Sequence, residues 1–156
     1  MRQTITEADI AAVESVLRSP FLTQGPVVPS FEQAVAAKAE ARYGVAVNSA
    51  TSALHIACLA LGLGPGDRLW TSPITFVASA NCGRYCGADV DFVDIEPDTY
   101  NINANLIEAA ITKDTKAIMP VSLFGQPADI DHIQTIATKY DLKVIIDGAQ
   151  SFGSTY

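Results

Sequence analysis

The stretch KVIIDGAQSFG, residues 143–153, runs a short apolar strand directly into an aspartate and then into small, turn-forming residues. A carboxylate at the end of a buried strand is costly unless a partner faces it, because desolvation disfavours the charged form. We therefore expect Asp147 to have a cationic partner. Three uses are open for such an aspartate: it caps a helix, it coordinates a metal ion, or it pairs with a cation of a bound ligand.

The chain before this stretch alternates between helical and strand patterns. Apolar residues at helical spacing, bounded by capping and breaking residues, predict helices from Thr6 to before Pro20, from Ser30 to near Gly44, from Thr51 to the turn at 62–67, at 75–86, from near Asn103, and at Asp129–Tyr140. Short runs of strand-forming residues predict strands at 44–48, 68–72, 89–94, 117–124 and 143–147. Parallel strands need crossover helices and bury both faces, so this order predicts an α/β fold with a mostly parallel sheet and helices on both faces.

The composition limits the function. A chain of 156 residues with 49% hydrophobic content can bury one substantial core, and a formal charge of -7 argues against binding to nucleic acid or anionic membranes. No apolar run approaches the roughly 20 residues of a membrane span, and the start MRQTITEADI lacks the apolar core of a signal peptide, so we expect a cytoplasmic protein. The spacing of Cys58, Cys82 and Cys86 favours core packing over a metal site.

Ligands of parallel sheets bind beyond the carboxyl ends of the strands, and two polar stretches are predicted there before Asp147. In NSATSALH, residues 48–55, free N–H groups at a helix start could hold an anion such as phosphate, with hydroxyls added by Thr51 and Ser52. The alternative is that Ser49, Thr51 or Ser52 simply caps the helix. In TSPITFVASAN, residues 71–81, Phe76 either covers a flat ligand ring or packs into the core.

The third stretch, DGAQSFG at residues 147–153, contains Asp147 and Gln150. A P-loop role for the aspartate fails because no G-x-x-x-x-G-K-[ST] motif occurs in the chain. A protonated pyridine nitrogen is a cation that suits Asp147, since a buried carboxylate keeps such a ring positively charged and able to accept electrons. Gln150 would then hydrogen-bond a substituent of that ring.

Long stretches of the chain resemble one enzyme family, the sugar aminotransferases of the DegT/DnrJ/EryC1/StrS family. The resemblance is carried by VLRSPFLTQGPVVPSFEQA at 16–34, AVNSATSALHIACLALGLGPGD at 46–67, LWTSPITFVASANCGRYCGADVDFVDI at 69–95, and DGAQSFG. It implies the aspartate aminotransferase type fold (fold type I), the cofactor pyridoxal 5'-phosphate (PLP), and a homodimer. It also implies transfer of an amino group, usually from glutamate, to C4 of a UDP-linked 4-keto-6-deoxy-N-acetylhexosamine in pseudaminic acid or surface sugar biosynthesis.

The same resemblance implies roles for individual residues. Thr51 and Ser52 would contact the cofactor phosphate or the substrate beside it, Phe76 would stack on the pyridine ring, Asp147 would hold the ring nitrogen, and Gln150 would approach the ring oxygen. The loop that contains Pro20, Phe21, Leu22 and Thr23 would line the nucleotide-sugar pocket.

The resemblance also implies that part of the enzyme lies outside this sequence. The family's Schiff-base lysine would lie beyond Tyr156, and none of the five lysines in the chain is predicted at the ligand edge, so we expect the chain alone to be inactive. Residues 1–30 would form an amino-terminal helix and substrate-loop arm, and residues 31–156 the amino-terminal part of the PLP-binding large domain. Two alternatives stay open: a non-catalytic cofactor-binding or regulatory module, and another nucleotide-binding α/β enzyme that uses Asp147 for a metal.

Overall fold

Two units divide the chain, one extending to Ala46 and the other beginning at Val47. This computed structural model describes residues 3–155. The boundary suggested by the sequence, after Ser30, lies inside the second helix of the first unit.

The first unit contains helices α1 (Glu7–Leu17) and α2 (Val27–Lys38). The predicted capping box at the start of α1 is confirmed: the Thr6 hydroxyl accepts from the Asp9 backbone N–H at 3.3 Å, and Asp9 Oδ2 accepts from the Thr6 N–H at 2.7 Å. This exchange satisfies donors that a helix start leaves without partners. α1 then ends before Pro20, as the sequence predicts.

The predicted start and end of α2 are wrong. The helix begins one turn before Ser30, with Pro26 at its N-cap and no side-chain capping bond. Proline is tolerated in a first turn because the N–H that it lacks has no partner there in any case. α2 also ends earlier than Gly44, since the backbone turns into the left-handed region at Glu40, where φ is 51°.

The predicted strand at 44–48 is also wrong, because none of these residues joins a ladder with a described strand. The backbone at Gly44 instead lies against α2, because a Cβ atom on Gly44 would stand 2.5 Å from the carbonyl oxygen of Glu32. The Ala46 N–H donates to Glu32 Oε1 at 2.8 Å, and Val45 remains 75% exposed. A side chain of α2 therefore takes a backbone donor that a sheet would have used.

The second unit is an α/β layer structure. Its elements in chain order are α3 (Ala50–Ala60), β1 (Arg68–Thr71), α4 (Ala78–Tyr85), β2 (Asp89–Phe92), α5 (Ala104–Ala110), β3 (Thr115–Met119), a 3₁₀ turn (Leu123–Gly125), α6 (Ile130–Tyr140) and β4 (Lys143–Val144). The strands are all parallel, in the order β2-β1-β3-β4, which confirms the predicted parallel sheet.

This strand order creates a reversal point at the centre of the sheet. The chain leaves β1 through α4 to reach β2 on one side, and then returns through α5 to β3 on the other side of β1. Successive connections therefore diverge between β1 and β3. In open parallel sheets, ligands bind beyond the carboxyl ends of the strands at such a point.

Helices cover both faces of the sheet. Neighbouring residues of a strand point to opposite faces, so each strand contributes side chains to both layers of helices. Leu69 of β1 packs in an apolar cluster with residues of α3 and α4, whereas Trp70 packs in a second cluster with residues of α5 and α6. Cys58 and Cys82 are fully buried in the first cluster, which is the core position predicted for them. No helix within residues 3–155 has both the length and the apolar character needed to cross a bilayer.

The strands β3 and β4 are shorter than predicted, although their pairing continues. β3 ends at Met119 because Pro120 has no N–H for the ladder. Beyond it, the Asp147 N–H donates to the Pro120 carbonyl at 2.9 Å, and the Ser122 N–H donates to the Asp147 carbonyl at 3.0 Å. The backbone of Asp147 is thereby fixed beside the carboxyl end of β3.

Candidate functional site

Asp147 lies at the carboxyl edge of the sheet with a buried side chain, 6% exposed. Its Oδ2 atom accepts a hydrogen bond from the Ser79 hydroxyl at 2.8 Å, and its Oδ1 atom accepts from the Ala149 N–H at 3.2 Å. An ionised carboxylate has about four acceptor positions, so these two bonds leave capacity unused. Among residues 3–155, no Lys, Arg or His forms an ion pair with Asp147.

The structure narrows the three uses considered for this aspartate. Residues 149–153 form turns and no helix follows Asp147 in the described residues, so Asp147 does not cap a helix. Within residues 3–155, no three His, Cys, Asp or Glu side chains come together as a set that could hold a metal ion. The groups that do face the carboxylate are hydrogen-bond donors, which stabilise its charged form without neutralising it. The buried Asp147 carboxyl group thus has hydrogen-bond donors but no basic partner among residues 3–155.

A short chain of hydroxyl groups leads from the loop after β1 to this carboxylate. Ser79, in the first turn of α4, is fully buried, and its Oγ atom lies 2.9 Å from Thr75 Oγ1. A hydroxyl has one proton and an ionised carboxylate has none, so Ser79 donates to Asp147 and Thr75 donates to Ser79. The order Thr75 to Ser79 to Asp147 is thus set by the chemistry of the groups.

Phe76 follows Thr75 in the segment between β1 and α4. The helix α4 begins at Ala78, three residues later than predicted, so Phe76 precedes it. The Phe76 side chain is 67% exposed, so the alternative that it packs into the core is wrong. An exposed aromatic ring beside the carboxyl end of a central strand offers a flat apolar surface.

The start of α3 combines a cap with an unused donor group. Ser49 is the N-cap, and its hydroxyl accepts from the Ser52 N–H at 3.2 Å, while the Ser52 hydroxyl donates to Asn48 Oδ1 at 2.7 Å. The capping alternative therefore holds for Ser49. The half-buried Thr51 side chain makes no hydrogen bond with another described residue, so its hydroxyl remains available to an anion at this helix start.

The packing of α3 holds its first turns on the same side of the sheet as the Ser79 helix. Leu54 belongs to the apolar cluster that also contains Ala78, next to Ser79, and Ile145, two residues before Asp147. The hydroxyl chain and the α3 start are thus supported by one buried cluster. Cys58 contributes to it as an inert group, because its contact with Cys82 and its burial both raise the pKa of the Cys58 thiol.

Gln150 is an exposed residue three positions after Asp147. Its Oε1 atom accepts a hydrogen bond from the Phe124 backbone N–H at 2.8 Å. Phe124 lies in the 3₁₀ turn after β3, has φ of 55° and is 78% exposed. The carbonyl side of the Gln150 amide is therefore occupied, and its NH₂ group is the part that can reach a ligand acceptor.

The loop predicted to line a sugar pocket belongs to the first unit. Pro20, Phe21, Leu22 and Thr23 are exposed, and they line a cavity of about 470 Å³ together with Ser15, Val16, Ser19 and residues 24–28. The Phe21 N–H donates to the Ser19 hydroxyl, which in turn donates to the Phe21 carbonyl. These bonds order the start of the loop.

The four lysines of the second unit lie away from Asp147. Lys116 and Lys143 are in the first half of their strands, Lys113 precedes β3, and Lys139 is in the last turn of α6 and pairs with Glu108. Parallel strands begin at one edge of a sheet and end at the other, so these amines belong to the edge opposite the candidate site.

Comparison with known proteins gives the family. Residues 3–156 match the DegT/DnrJ/EryC1/StrS aminotransferase family over nearly the whole sequence. The chain belongs to this family. It is similar to the UDP-2-acetamido-2-deoxy-3-oxo-D-glucuronate aminotransferase of Pseudomonas aeruginosa, with 47% identity over 146 residues that cover 94% of this chain and 41% of that protein.

Solved structures of aminotransferases share the fold. An aminotransferase from Psychrobacter cryohalolentis superposes with a TM-score of 0.94 at 38% identity, over 98% of this chain and 39% of that one. NtdA from Bacillus subtilis, solved with bound cofactor PMP, superposes with a TM-score of 0.90 at 38% identity, over 97% of this chain and 36% of that one. This chain therefore spans about two fifths of the length of these similar proteins.

Sequence reasoning missed three residues that the structure brings to the site: Ser79, Thr75 and Phe124. Ser79 and Asp147 are 68 positions apart in the chain, and no local pattern links them. One signal was present, since Ser79 lies between Ala78 and Cys82 on the buried face of a helix, where a serine needs a polar partner.

Proposed function

We propose that residues 47–155 form the amino-terminal part of the PLP site of a nucleotide-sugar aminotransferase. The observation that carries this proposal is the buried Asp147 carboxylate at the ligand edge of the sheet, with hydrogen-bond donors on both oxygens and no basic partner among the described residues. A protonated pyridine nitrogen supplies the missing positive charge.

The groups around Asp147 suit the other parts of the cofactor. Phe76 would cover one face of the ring, and the Thr51 hydroxyl with the first N–H groups of α3 would bind the phosphate, with Ser52 beside them. The NH₂ group of Gln150 would donate to the ring oxygen, because its carbonyl oxygen is already used by Phe124. Bound PLP supplies an electron-accepting ring that can carry an amino group.

In the proposed mechanism these residues bind and orient, and the proton-transferring amine comes from elsewhere. Asp147 keeps the ring nitrogen protonated, which lowers the energy of negative charge developing on the substrate carbon. Transamination also needs an amine that moves a proton at that carbon. The lysines of the second unit belong to the opposite edge of the sheet, and the family resemblance implies a Schiff-base lysine beyond Tyr156, so we assign this task to a lysine outside residues 1–156.

The proposed substrate is a UDP-linked 4-keto-6-deoxy-N-acetylhexosamine that receives an amino group at C4, with glutamate as donor, in the pathway to pseudaminic acid. Support comes from the family resemblance of residues 16–34, 46–67 and 69–95, and from the name of the Pseudomonas aeruginosa relative, an aminotransferase of a UDP-linked sugar. The loop that contains Phe21, Leu22 and Thr23 would contact the nucleotide sugar, and the active assembly would be a homodimer.

The test uses the complete gene product that contains this chain. We expect it to bind PLP and to form 2-oxoglutarate from glutamate over repeated turnovers only when a UDP-4-keto-6-deoxy-N-acetylhexosamine is present. Without that sugar, no more than one 2-oxoglutarate per bound PLP should form. Asp147→Asn should abolish turnover and weaken PLP binding, whereas Asp98→Asn, the same charge change at an exposed turn residue, should not. Binding of magnesium nucleotide without binding of PLP would contradict the proposal and favour a metal-dependent nucleotide enzyme; PLP binding without turnover of any keto sugar would favour a non-catalytic module.

A further inference from the structure

The hydroxyl of Ser79 makes the only side-chain hydrogen bond to Asp147 among the described residues. A serine inside a helix commonly bonds back to a carbonyl of the preceding turn. Ser79 instead donates across 68 positions of sequence to a buried carboxylate, and it is itself fully buried. Its second contact, with Thr75 at 2.9 Å, supplies a proton to the serine oxygen rather than competing for Asp147.

We propose that Ser79 and Thr75 are positioning residues that hold Asp147 in the orientation and charge state required to face a protonated ring nitrogen. The inference rests on the proposed function, since it names what keeps the cofactor-binding aspartate ready. Neither residue touches the cofactor in this account; both act through Asp147.

The orientation of the Asp147 carboxylate is set because its two oxygens accept hydrogen bonds from different elements of the structure. Oδ2 is bound by the Ser79 hydroxyl from α4, and Oδ1 is bound by the Ala149 N–H of the following turn. Two donors from separate elements fix the rotation of the carboxylate plane, so its remaining acceptor positions keep one direction. Without the Ser79 hydroxyl, one oxygen loses its fixed partner and the plane can rotate.

Charge state follows from the direction of the hydrogen bonds. Donors to a carboxylate stabilise its charged form and make it less basic. The chain from Thr75 through Ser79 therefore keeps the shared proton on the ring nitrogen rather than on Asp147. Loss of a donor shifts that proton toward the aspartate, and the ring becomes a weaker electron acceptor.

Thr75 also couples this chain to the residue proposed to cover the ring. It directly precedes Phe76, and both lie in the short segment between β1 and α4. The bond from Thr75 to Ser79 ties that segment to the first turn of α4. The same contact thus supports the ring face and the ring nitrogen.

The experiment compares two probes in the complete gene product: PLP, and deazapyridoxal phosphate, in which a C–H group replaces the ring nitrogen. The variants are Ser79→Ala and Thr75→Val. The matched control is Ser72→Ala, because Ser72 is also buried and close to the end of β1 but its hydroxyl contacts only the backbone at Ile74. Dissociation constants are measured by absorbance for each protein and probe.

We expect the unchanged protein to prefer PLP over the deaza probe, and Ser79→Ala to lower that preference about tenfold, as a one-unit change in proton affinity would. Affinity for the deaza probe should stay within about threefold, since that probe makes no nitrogen contact. Ser72→Ala should keep the full preference. Thr75→Val should lower the preference for PLP less than Ser79→Ala does. Thr75 is only half-buried, so the Thr75→Val protein still tests the inference if the Ser79→Ala protein does not fold.

Two other results would overturn the inference in distinguishable ways. If Ser79→Ala and Thr75→Val weaken the binding of both probes equally, or of neither probe, Ser79 and Thr75 are only structural and the proposed function stands. If the unchanged protein fails to bind PLP, or binds both probes equally, the role of Asp147 itself fails together with that of Ser79. A second readout is the double variant: Ser79→Ala should have no further effect on the preference when Asp147 is already Asn.

Discussion

The Oε1 atom of Gln150 accepts a hydrogen bond from the backbone N–H of Phe124 at 2.8 Å, which joins the loop after β4 to the turn after β3. Phe124 has φ of 55°, a left-handed conformation that is unfavourable for an aromatic residue. The Gln150 bond, and a bond from the Ser154 hydroxyl to the Gly125 carbonyl at 2.9 Å, help to hold this turn. A residue predicted to contact a ligand is thus also part of the structure that supports the site.

This relationship separates two roles of Gln150. Gln150→Glu keeps an acceptor for the Phe124 N–H but replaces the NH₂ donor with a negative charge, so we expect a protein of nearly unchanged thermal stability and weaker PLP binding. Gln150→Leu removes the acceptor as well and should lower stability by about 0.5–1.5 kcal/mol, the net contribution of one hydrogen bond at an exposed position. Equal PLP affinity in the unchanged protein and Gln150→Glu would contradict the donor role.

Gly44 provides a stability test in the first unit. A Cβ atom there would lie 2.5 Å from the Glu32 carbonyl oxygen, and that contact is with backbone of α2, which cannot move aside as a side chain can. We expect Gly44→Ala to destabilise the protein by about 1–3 kcal/mol, measured by urea unfolding. Gly64→Ala is the control, because the nearest atom to its Cβ is 3.9 Å away. A Gly44→Ala protein as stable as the Gly64→Ala protein would show that Gly44 does not lie against α2.

Stability should depend on pH through Asp114. Hydrogen bonds from the Thr112 hydroxyl, and then from Arg68, lower the pKa of Asp114 below its ordinary value of 3.8. A group whose pKa is lower in the folded state stabilises the protein above its unfolded pKa, and that contribution is lost as the pH falls through the folded pKa. We expect the stability difference between the unchanged protein and Asp114→Asn to shrink as urea unfolding is measured from neutral pH to below 3.8.

Thr112→Val should remove part of the same acid-dependent contribution, since the Thr112 hydroxyl is the strongest cause of the shift. A difference between the unchanged protein and Asp114→Asn that stays constant down to the lowest pH would contradict this account of Asp114.

The position of the cofactor-carrying amine can be mapped directly. After PLP and borohydride are added to the complete gene product, we expect the stable label on one lysine outside residues 1–156. Lys38, Lys113, Lys116, Lys139 and Lys143 should remain unlabelled after digestion and mass spectrometry. Stoichiometric label on any one of these five would overturn the assignment of the amine to another part of the protein.

Most helices and the parallel sheet were predictable because their signals are local. Helices α1 and α6 each combine apolar residues at helical spacing with a capping residue, Thr6 or Asp129, at their start. The strand that leads to Asp147 likewise combines an apolar run with turn-forming residues after it. The strand predicted at 44–48 failed because its residues have strand propensity but a helix side chain takes the Ala46 N–H. Propensity gives way to tertiary contacts of this kind.

The candidate site was predictable only in part, for a related reason. Its ligand-facing members, such as Asp147, follow from strand ends and helix starts. The groups that position them come from contacts distant in sequence, as in the bond from Ser79 to Asp147 and the bond from Phe124 to Gln150. The side of the Gln150 amide that faces a ligand could be assigned only after its partner was known.

The charge of the pyridine nitrogen beside Asp147 is the central claim, and nitrogen-15 NMR of labelled PLP bound to the complete gene product measures it most directly. We expect the chemical shift of a protonated ring nitrogen in the unchanged protein across neutral pH. In Asp147→Asn, which keeps the size of the side chain and removes its charge, we expect the shift of an unprotonated nitrogen. The same shift in both proteins, or an unprotonated nitrogen in the unchanged protein, would contradict the account.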